Sequence, residues 1–241
     1  MTHAFSATPN LLSPSVLPEA AAAQVWLDFD GTVSRRDVLD DLIVRYARDG
    51  SWKLIEERWQ AGLIGSRQCL SEEFALLDVA PADLWAFIDS VELDPGAHAL
   101  VSLLTQAQVP VTILSDGVDG FIRRVLARHG IRGIAIRANA ITQRGRRLEL
   151  TCPHSSDQCR SGAAHCKCAS AQALRQPGRR TIYVGDGRSD LCPARKADAV
   201  FAKGVLAVTL ARERIPFLPF ATLDDVRDAL ARRWATPGAK A

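Results

Sequence analysis

Short, largely apolar runs recur along the chain, and each ends at a polar residue or a glycine. Four of them have the length of a strand: 25–29, 109–114, 181–184 and 199–202. Successive side chains of a strand point to opposite faces of the sheet. A short run that is apolar at successive positions is therefore typical of a strand buried on both faces of a parallel sheet. Two further strands, predicted at 133–142 and 147–152, are separated by four polar or glycine residues and favour a hairpin or an extended pair.

Between these runs, apolar residues repeat at the spacing of an amphipathic helix. Such segments are predicted at 37–48, 52–59, 68–77, 82–91, 118–129 and 165–175. A further amphipathic helix is predicted between 94–96 and the second strand, and a short helix after 185–187. Strands and helices alternate through most of the chain, which predicts an α/β fold with a doubly wound, mostly parallel, Rossmann-like sheet. The first four helices follow the first strand without an intervening strand, and we interpret them as an inserted helical cap.

This pattern divides the chain into three parts. Residues 1–24 contain three prolines and no lysine or arginine, and we predict that they form a flexible leader. Residues 25–35 and 93–241 form the predicted α/β catalytic core, and residues 36–92 form the predicted helical cap.

Composition narrows the class of protein. Of 241 residues, 47% are hydrophobic and 24% are charged, as in an ordinary globular protein. No run approaches the roughly 18 uncharged apolar residues of a membrane span, so no membrane partner is expected. The formal net charge of +3 is too small to indicate a nucleic-acid partner. Because the leader lacks the basic and apolar parts of an export signal, we expect a cytoplasmic protein.

Six cysteines leave several alternatives open. Cys152, Cys159, Cys166 and Cys168 could bind zinc together with His154 and His165, could pair, or could remain free thiols. Their spacing lacks the paired Cys-x-x-Cys arrangement of a typical zinc site. Cys69 and Cys192 lie in helical segments, and we interpret them as buried small apolar groups.

Three predicted strands end in groups that can perform chemistry. Asp28 and Asp30 lie at the end of the first strand, Ser115 follows the second, and Asp186 and Asp190 follow the strand at 181–184. The carboxyl ends of neighbouring parallel strands converge on one crevice. Carboxylates gathered there repel one another unless a cation neutralises them, and oxygen ligands without His or Cys favour Mg²⁺.

These segments resemble the four ordered motifs of the haloacid dehalogenase superfamily of phosphatases. The motif residues are Asp28, Asp30 and Thr32, then 115–117, then Lys167, and finally 185–190. The helical insert after the first motif is similar to that of the phosphoserine phosphatase-like branch. The Cys166–Lys167 pair and the segments 115–117 and 200–203 are closest in style to the methionine-salvage ketopentenyl phosphate phosphatase group.

The resemblance implies roles for the reacting groups. Asp28 is implied to be the nucleophile that forms an aspartyl-phosphate, and Asp30 the acid and base that serves the leaving oxygen and the attacking water. Lys167 is implied to offset the negative charge of phosphate and nucleophile. Because the third motif is little more than a lysine before a helix, Lys196 and Lys203 remain alternatives to Lys167.

The resemblance also implies the binding groups. The groups expected to bind the substrate phosphate belong to Thr32, Ser115, Asp116 and Gly117. The expected magnesium ligands are Asp28, Asp30 through its carbonyl group, and Asp186, with Asp190 supporting Lys167 or the metal. Arg36 and Asp37 lie where the catalytic loop enters the insert, so we predict contacts with the rest of the substrate.

The sequence therefore predicts a Mg²⁺-dependent phosphomonoesterase that acts on a small phosphorylated metabolite. Two alternatives remain. The first is a phosphotransferase that passes the phosphoryl group to an alcohol. The second is a catalytically weak binding protein that uses the arginine-rich stretch at 123–147, although a solvated face is the simpler interpretation of that stretch.

Overall fold

A computed structural model describes residues 12–235, and within them the chain forms one seven-stranded sheet. The strands are β1 Ala23–Leu27, β2 Val111–Val118, β3 Ala135–Arg144, β4 Arg147–Thr151, β5 Arg180–Gly185, β6 Ala199–Ala202 and β7 Leu218–Pro219. Their order across the sheet is β4-β3-β2-β1-β5-β6-β7. Every neighbouring pair is parallel except β3 and β4, which form an antiparallel hairpin.

Ten α-helices connect the strands in the same range. They are α1 Val38–Tyr46, α2 Trp52–Gln60, α3 Ser66–Leu76, α4 Pro81–Asp89, α5 Ala97–Gln106, α6 Asp119–Arg128, α7 Lys167–Leu174, α8 Leu191–Ala194, α9 Gly204–Arg212 and α10 Leu223–Trp234. The predicted α/β fold with a mostly parallel sheet is thereby confirmed.

Both faces of the sheet are covered, which explains why the central strands are apolar throughout. All five residues of β1 are buried. Val25 and Leu27 pack into one hydrophobic cluster, and Trp26 packs into the other, since successive side chains of a strand point to opposite faces. This two-sided burial fixes β1 in the middle of the sheet.

The ends of the first two strands differ from the sequence-based prediction. β1 begins at Ala23 and ends at Leu27, so Asp28 lies just beyond the strand, not inside it. β2 continues to Val118 and includes Ser115. Of the predicted leader, residues 1–11 lie outside the described residues. Residues 14–16 and 20–22 form short 3₁₀ turns, and Leu17 between them is 1% exposed.

Helices α1 to α4 occupy the segment predicted to be an insert. The chain enters and leaves this segment at adjacent positions, because Ser34 and Leu93 form an isolated antiparallel bridge and the Arg35 amide donates to the Glu92 carbonyl at 3.0 Å. Such adjacent ends allow a helical block to be inserted after β1 without disturbing the sheet. The division into core and cap remains a prediction.

Within the described range, no helix is long and apolar enough to cross a membrane.

Candidate active site

The candidate site lies where the three central strands of the sheet end. β1 pairs in parallel with β2 on one side and with β5 on the other, so that Leu27 is in register with both Ile113 and Val184. The Asp28 amide extends this pairing by donating to the Val184 carbonyl at 2.9 Å. Asp28, Ser115 and Asp186 are thereby brought to one edge of the sheet, as the sequence predicted for parallel strands.

A buried ammonium group links two of the carboxylates. Lys167 Nζ donates to Asp28 Oδ1 at 2.6 Å and to Asp190 Oδ1 at 2.7 Å. The three residues are 3%, 5% and 0% exposed, so this is an ion-paired triad shielded from water. Lys167 is the first residue of α7. Of the two alternative lysines, Lys203 lies over the Phe220 ring, and Lys196 is exposed.

Asp190 receives four hydrogen bonds from the surrounding residues. In addition to Lys167, the Tyr183 hydroxyl donates to Asp190 Oδ1 at 2.6 Å. The amides of Asp186 and Gly187 donate to Oδ2 at 3.0 and 2.9 Å. With both oxygens engaged, the Asp190 carboxylate serves to hold Lys167 and the loop after β5. The motifs do not indicate Tyr183, whose hydroxyl lies in the middle of the buried strand β5.

Asp28, Asp186 and Asp190 each offer an oxygen within 4.8 Å of the others, an arrangement able to hold a metal ion. Thr32 Oγ1 donates to Asp186 Oδ1 at 2.6 Å. Within residues 12–235, the second oxygens of Asp28 and Asp186 accept no hydrogen bond, whereas both oxygens of Asp190 do. The carboxylate oxygens that are still able to bind a cation therefore belong to Asp28 and Asp186. Hard, anionic oxygen ligands of this kind fit a Mg²⁺ ion.

Gly31 permits this close packing. Its backbone has a φ of +73°, and a Cβ there would lie 2.6 Å from Asp186 Oδ2. A larger residue at this position would displace the Asp186 carboxylate and strain the turn.

The Asp30 side chain points elsewhere. Ser115 Oγ donates to its Oδ2 at 3.0 Å, and the Val38 amide donates to its Oδ1 at 3.1 Å. The Gly117 amide in turn donates to Ser115 Oγ at 2.7 Å. The Asp30 carboxylate does not belong to the group of three carboxylates that could hold a metal ion. Metal binding by the Asp30 carbonyl stays a prediction.

Burial dominates the electrostatics of the site. It raises the pKa of Asp28 well above its ordinary value, and repulsion from Asp190 adds to the shift while Lys167 opposes it. Burial would lower the pKa of Lys167, but attraction to Asp190 and Asp28 outweighs it and raises that pKa. Lys167 therefore stays protonated. One ammonium faces three carboxylates, and the excess negative charge favours binding of a divalent cation.

Asp116 is turned away from this edge. Its Oδ1 accepts from the His165 amide at 2.7 Å, and its carbonyl accepts from Asn139 Nδ2 at 2.6 Å. The His165 ring lies 2.9 Å from the Ser115 carbonyl and 2.7 Å from Ser170 Oγ. Burial lowers the pKa of His165 to about 3, so the neutral ring donates from Nδ1 to the carbonyl and accepts from Ser170. His165 is a second residue that the motifs did not indicate.

Arg36 and Asp37, the predicted specificity residues, have different surroundings. Asp37 Oδ1 caps α1 by accepting from the amides of Leu39 and Asp40, both at 3.0 Å. Arg36 pairs with Asp41 at 2.7 Å through a side chain that is 78% exposed. Arg36 also lines a cleft of about 780 Å³ whose lining residues do not include the three site carboxylates. A substrate contact by either residue remains a prediction.

The cysteines correct one interpretation. Cys192 is not a buried apolar group: it is exposed and forms a disulfide with Cys168, at a Cα–Cα distance of 5.8 Å. Cys69 is buried, as expected. Cys152, Cys159 and Cys166 are free thiols, and none of them belongs to a group of three metal-competent atoms in the described part of the chain. The spacing rules for zinc do not detect a disulfide between distant segments.

Much of the arginine-rich stretch is ion-paired at the surface. Arg123 pairs with Asp119, and Arg124 and Arg128 both contact Asp89. These pairs neutralise part of the positive charge, in agreement with the solvated-face interpretation.

A family model described as haloacid dehalogenase-like hydrolase matches residues 25–195 of this chain. The matched range begins within β1 and includes the helical block and all residues of the candidate site.

Several curated proteins are similar over nearly their whole length. One from Geobacillus kaustophilus, named 2-hydroxy-3-keto-5-methylthiopentenyl-1-phosphate phosphatase, is 28% identical, with 86% of this chain and 95% of that protein covered. One of the same name from Microcystis aeruginosa is also 28% identical, with 87% and 98% covered. A solved structure of phosphoserine phosphatase with a phospho-aspartyl intermediate analogue superposes with a TM-score of 0.66, at 19% identity, covering 86% of this chain and 97% of that one. At that identity the superposition shows a shared fold.

Proposed function

Because the chain belongs to the haloacid dehalogenase-like hydrolase family, we propose that it is a Mg²⁺-dependent phosphomonoesterase for a small phosphorylated metabolite. The reaction would proceed through an aspartyl-phosphate on Asp28. The observation that carries this proposal is the buried Lys167 ammonium between Asp28 and Asp190, at the edge where β2, β1 and β5 end. Phosphate esters are anionic and react slowly, so catalysis rests on positioning and charge neutralisation at such an edge.

The geometry supports Asp28 as the nucleophile. Lys167 binds one carboxylate oxygen, which fixes the carboxyl plane and orients the group for attack on phosphorus. In the step we propose, the Asp28 O–P bond forms while the bond from phosphorus to the alcohol oxygen breaks. Water then attacks the same phosphorus, releases phosphate and restores the carboxylate.

Asp30 is suited to move the proton in both steps. Burial raises its pKa to about 8, with a further contribution from repulsion by Asp37. A carboxyl group with such a pKa holds a proton near neutral pH, gives it to the departing alcohol oxygen, and then accepts one from the attacking water. Ser115 and the Val38 amide orient the carboxyl group for this task.

The phosphate and the metal would share the remaining groups of the edge. We assign phosphate binding to Thr32, Ser115 and the backbone of Asp116 and Gly117. Asp28, Asp186 and the Asp30 carbonyl would hold Mg²⁺, which when bound supplies positive charge to the phosphoryl oxygens. Asp190 positions Lys167 in this assignment, since its oxygens are already engaged.

The substrate is proposed to be compact. The curated relatives carry the name of a phosphatase for 2-hydroxy-3-keto-5-methylthiopentenyl-1-phosphate, and they match this chain across the helical block as well as the core. A helical cap at 36–92 that closes over the site would exclude bulky phosphorylated macromolecules and water. We therefore place this ketopentenyl phosphate first among the candidate substrates.

Phosphate release tests the proposal directly. A panel of phosphorylated metabolites, including the ketopentenyl phosphate, phosphoserine and an aryl phosphate, is assayed with Mg²⁺ or with a chelator. We expect metal-dependent release by the wild type and by Asp157→Asn, a control at a carboxylate that is 97% exposed. Asp28→Asn should release phosphate at least about 10³-fold more slowly. Release by Asp28→Asn at the wild-type rate would overturn the assignment, and a product that requires an added alcohol would indicate a phosphotransferase.

A further inference from the structure

A disulfide lies next to the buried lysine of the site. Cys168 directly follows Lys167, and Cys192 lies two residues after Asp190. The same two segments are joined by the 2.7 Å contact between Lys167 Nζ and Asp190 Oδ1. A covalent bond and an ion pair therefore connect the same two segments of the chain.

The two links differ in their access to solvent. Lys167 and Asp190 are 3% and 0% exposed. Cys192 is exposed and Cys168 is half-buried. An exposed disulfide can be attacked by a small thiol, whereas a fully buried one cannot. A redox reaction at the surface would thus act one or two residues away from a shielded catalytic contact.

The local backbone makes Lys167 sensitive to this link. Lys167 is the first residue of α7, and α8, which begins directly after Asp190, is only four residues long. The first residues of a helix lack the intrahelical hydrogen bonds that hold its middle. A covalent bond between the starts of α7 and α8 therefore limits how far the Lys167 ammonium can move from Asp28.

We propose that Cys168 and Cys192 are positioning residues, and that their disulfide holds Lys167 in its place between Asp28 and Asp190. Reduction would loosen the start of α7, weaken binding of the phosphate group and slow turnover. The inference rests on the proposed phosphatase function, since it concerns the same site.

A small disulfide such as glutathione disulfide can oxidise the Cys168 and Cys192 thiols to the protein disulfide. One protein thiolate attacks the small disulfide and forms a mixed disulfide, and the second protein thiolate then displaces the remaining small thiol. One protein S–S bond forms, two S–H bonds are lost, and two electrons and two protons leave with two small thiols. Two molecules of the small thiol reverse each step and regenerate the small disulfide.

The test compares the enzyme in its two redox states, with Mg²⁺ present. Protein equilibrated with glutathione disulfide is compared with protein treated with a phosphine reductant, and peptide mapping after alkylation identifies the thiols that are paired. The measurements are kcat and the equilibrium dissociation constant of inorganic phosphate. On reduction we expect kcat to fall roughly tenfold and the dissociation constant of inorganic phosphate to rise several-fold. Loss of folded protein would lower the apparent kcat, but the dissociation constant of phosphate for the protein that remains folded would be unchanged.

Matched variants identify the cysteines responsible. Cys168→Ser and Cys192→Ser should resemble the reduced enzyme and should not respond to the reductant. Cys152→Ser changes a free thiol that is not paired and should keep the full response. A thermal melt of a separate sample of each variant shows first that the variant is folded, so that only folded proteins are compared.

Three results would overturn the inference: equal kcat and phosphate affinity in the two states, a response that survives Cys168→Ser, or alkylation of Cys168 and Cys192 in the oxidised enzyme. A different result would contradict the proposed function while leaving the positioning role intact. A protein that turns over no phosphate ester, but whose phosphate affinity still changes with the disulfide, would contradict phosphatase activity and support the positioning role.

Discussion

Individual residues of the candidate site illustrate how a charge can be buried. Asp190 is fully buried, and removing a carboxylate from water costs several kcal/mol unless donors replace the lost solvent. Lys167, Tyr183 and two backbone amides replace it. The Asp190 carboxylate is thereby held in one orientation, and it fixes the ammonium beside Asp28.

Tyr183→Phe tests this arrangement at low steric cost. The variant keeps the ring but removes one of the four donors to Asp190. We expect the free energy of unfolding to fall by about 1–3 kcal/mol, because a charged acceptor loses a buried partner. We also expect a several-fold lower kcat, because Lys167 loses part of its support. Denaturant unfolding and steady-state kinetics measure both.

Tyr46→Phe is the matched control, since its hydroxyl bonds only the Asp83 carbonyl at 3.3 Å in an exposed position. Equal stability and equal kcat for the two variants would mean that Tyr183 does not hold Asp190.

The sequence predicted the residues that carry charge or end strands, because motif spacing and strand ends depend on neighbours along the chain. Strand ends predicted Asp28 and Asp186 in one crevice, whereas Lys167 was implied by the family resemblance, with Lys196 and Lys203 as alternatives. Tyr183 and His165 were missed as residues of this site, because each acts through a hydrogen bond that no motif encodes. Tyr183 bonds Asp190 seven positions away, and His165 bonds the Ser115 carbonyl 50 positions away. Such partners are identified only in the folded structure.

At the scale of elements, apolar runs predicted the core strands well because both faces of the sheet are buried. The strand ends were less predictable. β2 continues through the polar residues at 115–117, which in the sequence favour a loop. The Cys168–Cys192 bond was unpredictable, since cysteine spacing does not determine pairing.

A group of acids packs between the first three helices. Oxygen atoms of Glu56 and Glu73 and the sulfur of Cys69 lie within 4.8 Å of one another. Glu73 is 4% exposed. Its burial, and then repulsion from Glu56 and Asp40, raises its pKa to about 8 from an ordinary 4.5. The charged form of Glu73 therefore destabilises the helical block.

Glu73→Gln should relieve this repulsion in a pH-dependent manner. Because the pKa of Glu73 is raised in the folded state, its contribution to stability is full below pH 4.5 and is lost as the pH rises to about 8. The variant should be more stable than wild type by on the order of 1–3 kcal/mol at pH 9, and by much less at pH 5. Chemical denaturation at both pH values measures the difference.

Glu57→Gln removes an exposed carboxylate from the same helix as Glu56 and is the control. A destabilising effect of Glu73→Gln at pH 9 would contradict the account.

Across the whole molecule, the helical block contacts the core at two places near the site. On one side, Ser66 Oγ accepts from the Ala164 amide at 3.0 Å, close to Asp116. On the other, the Arg188 guanidinium lies over the Trp59 ring and donates to the Gln60 carbonyl at 3.2 Å. These contacts join the loop after β5 and the segment before Lys167 to the predicted cap.

Gly65→Ala should disturb the first of these contacts. A Cβ at Gly65 would lie 2.4 Å from the Gly162 carbonyl oxygen, so the start of α3 must move away from the core. We expect a lower melting temperature and a higher KM, because the helical block can no longer pack fully beside the site. Thermal melting and steady-state kinetics provide the two readouts.

Gly50→Ala is the control, since a Cβ there would meet no atom within 4 Å. Unchanged melting and KM in Gly65→Ala would mean that this contact does not help to form the site.

The proposed mechanism requires a covalent bond between Asp28 and phosphorus. The direct measurement is mass spectrometry of peptides from enzyme that is acid-quenched during turnover of its best substrate and treated with borohydride to trap an acyl phosphate. We predict a reduced residue at position 28 in the presence of Mg²⁺, and none when a chelator replaces the metal. Turnover with no trapped modification at Asp28, or with a modification at another residue, would contradict it.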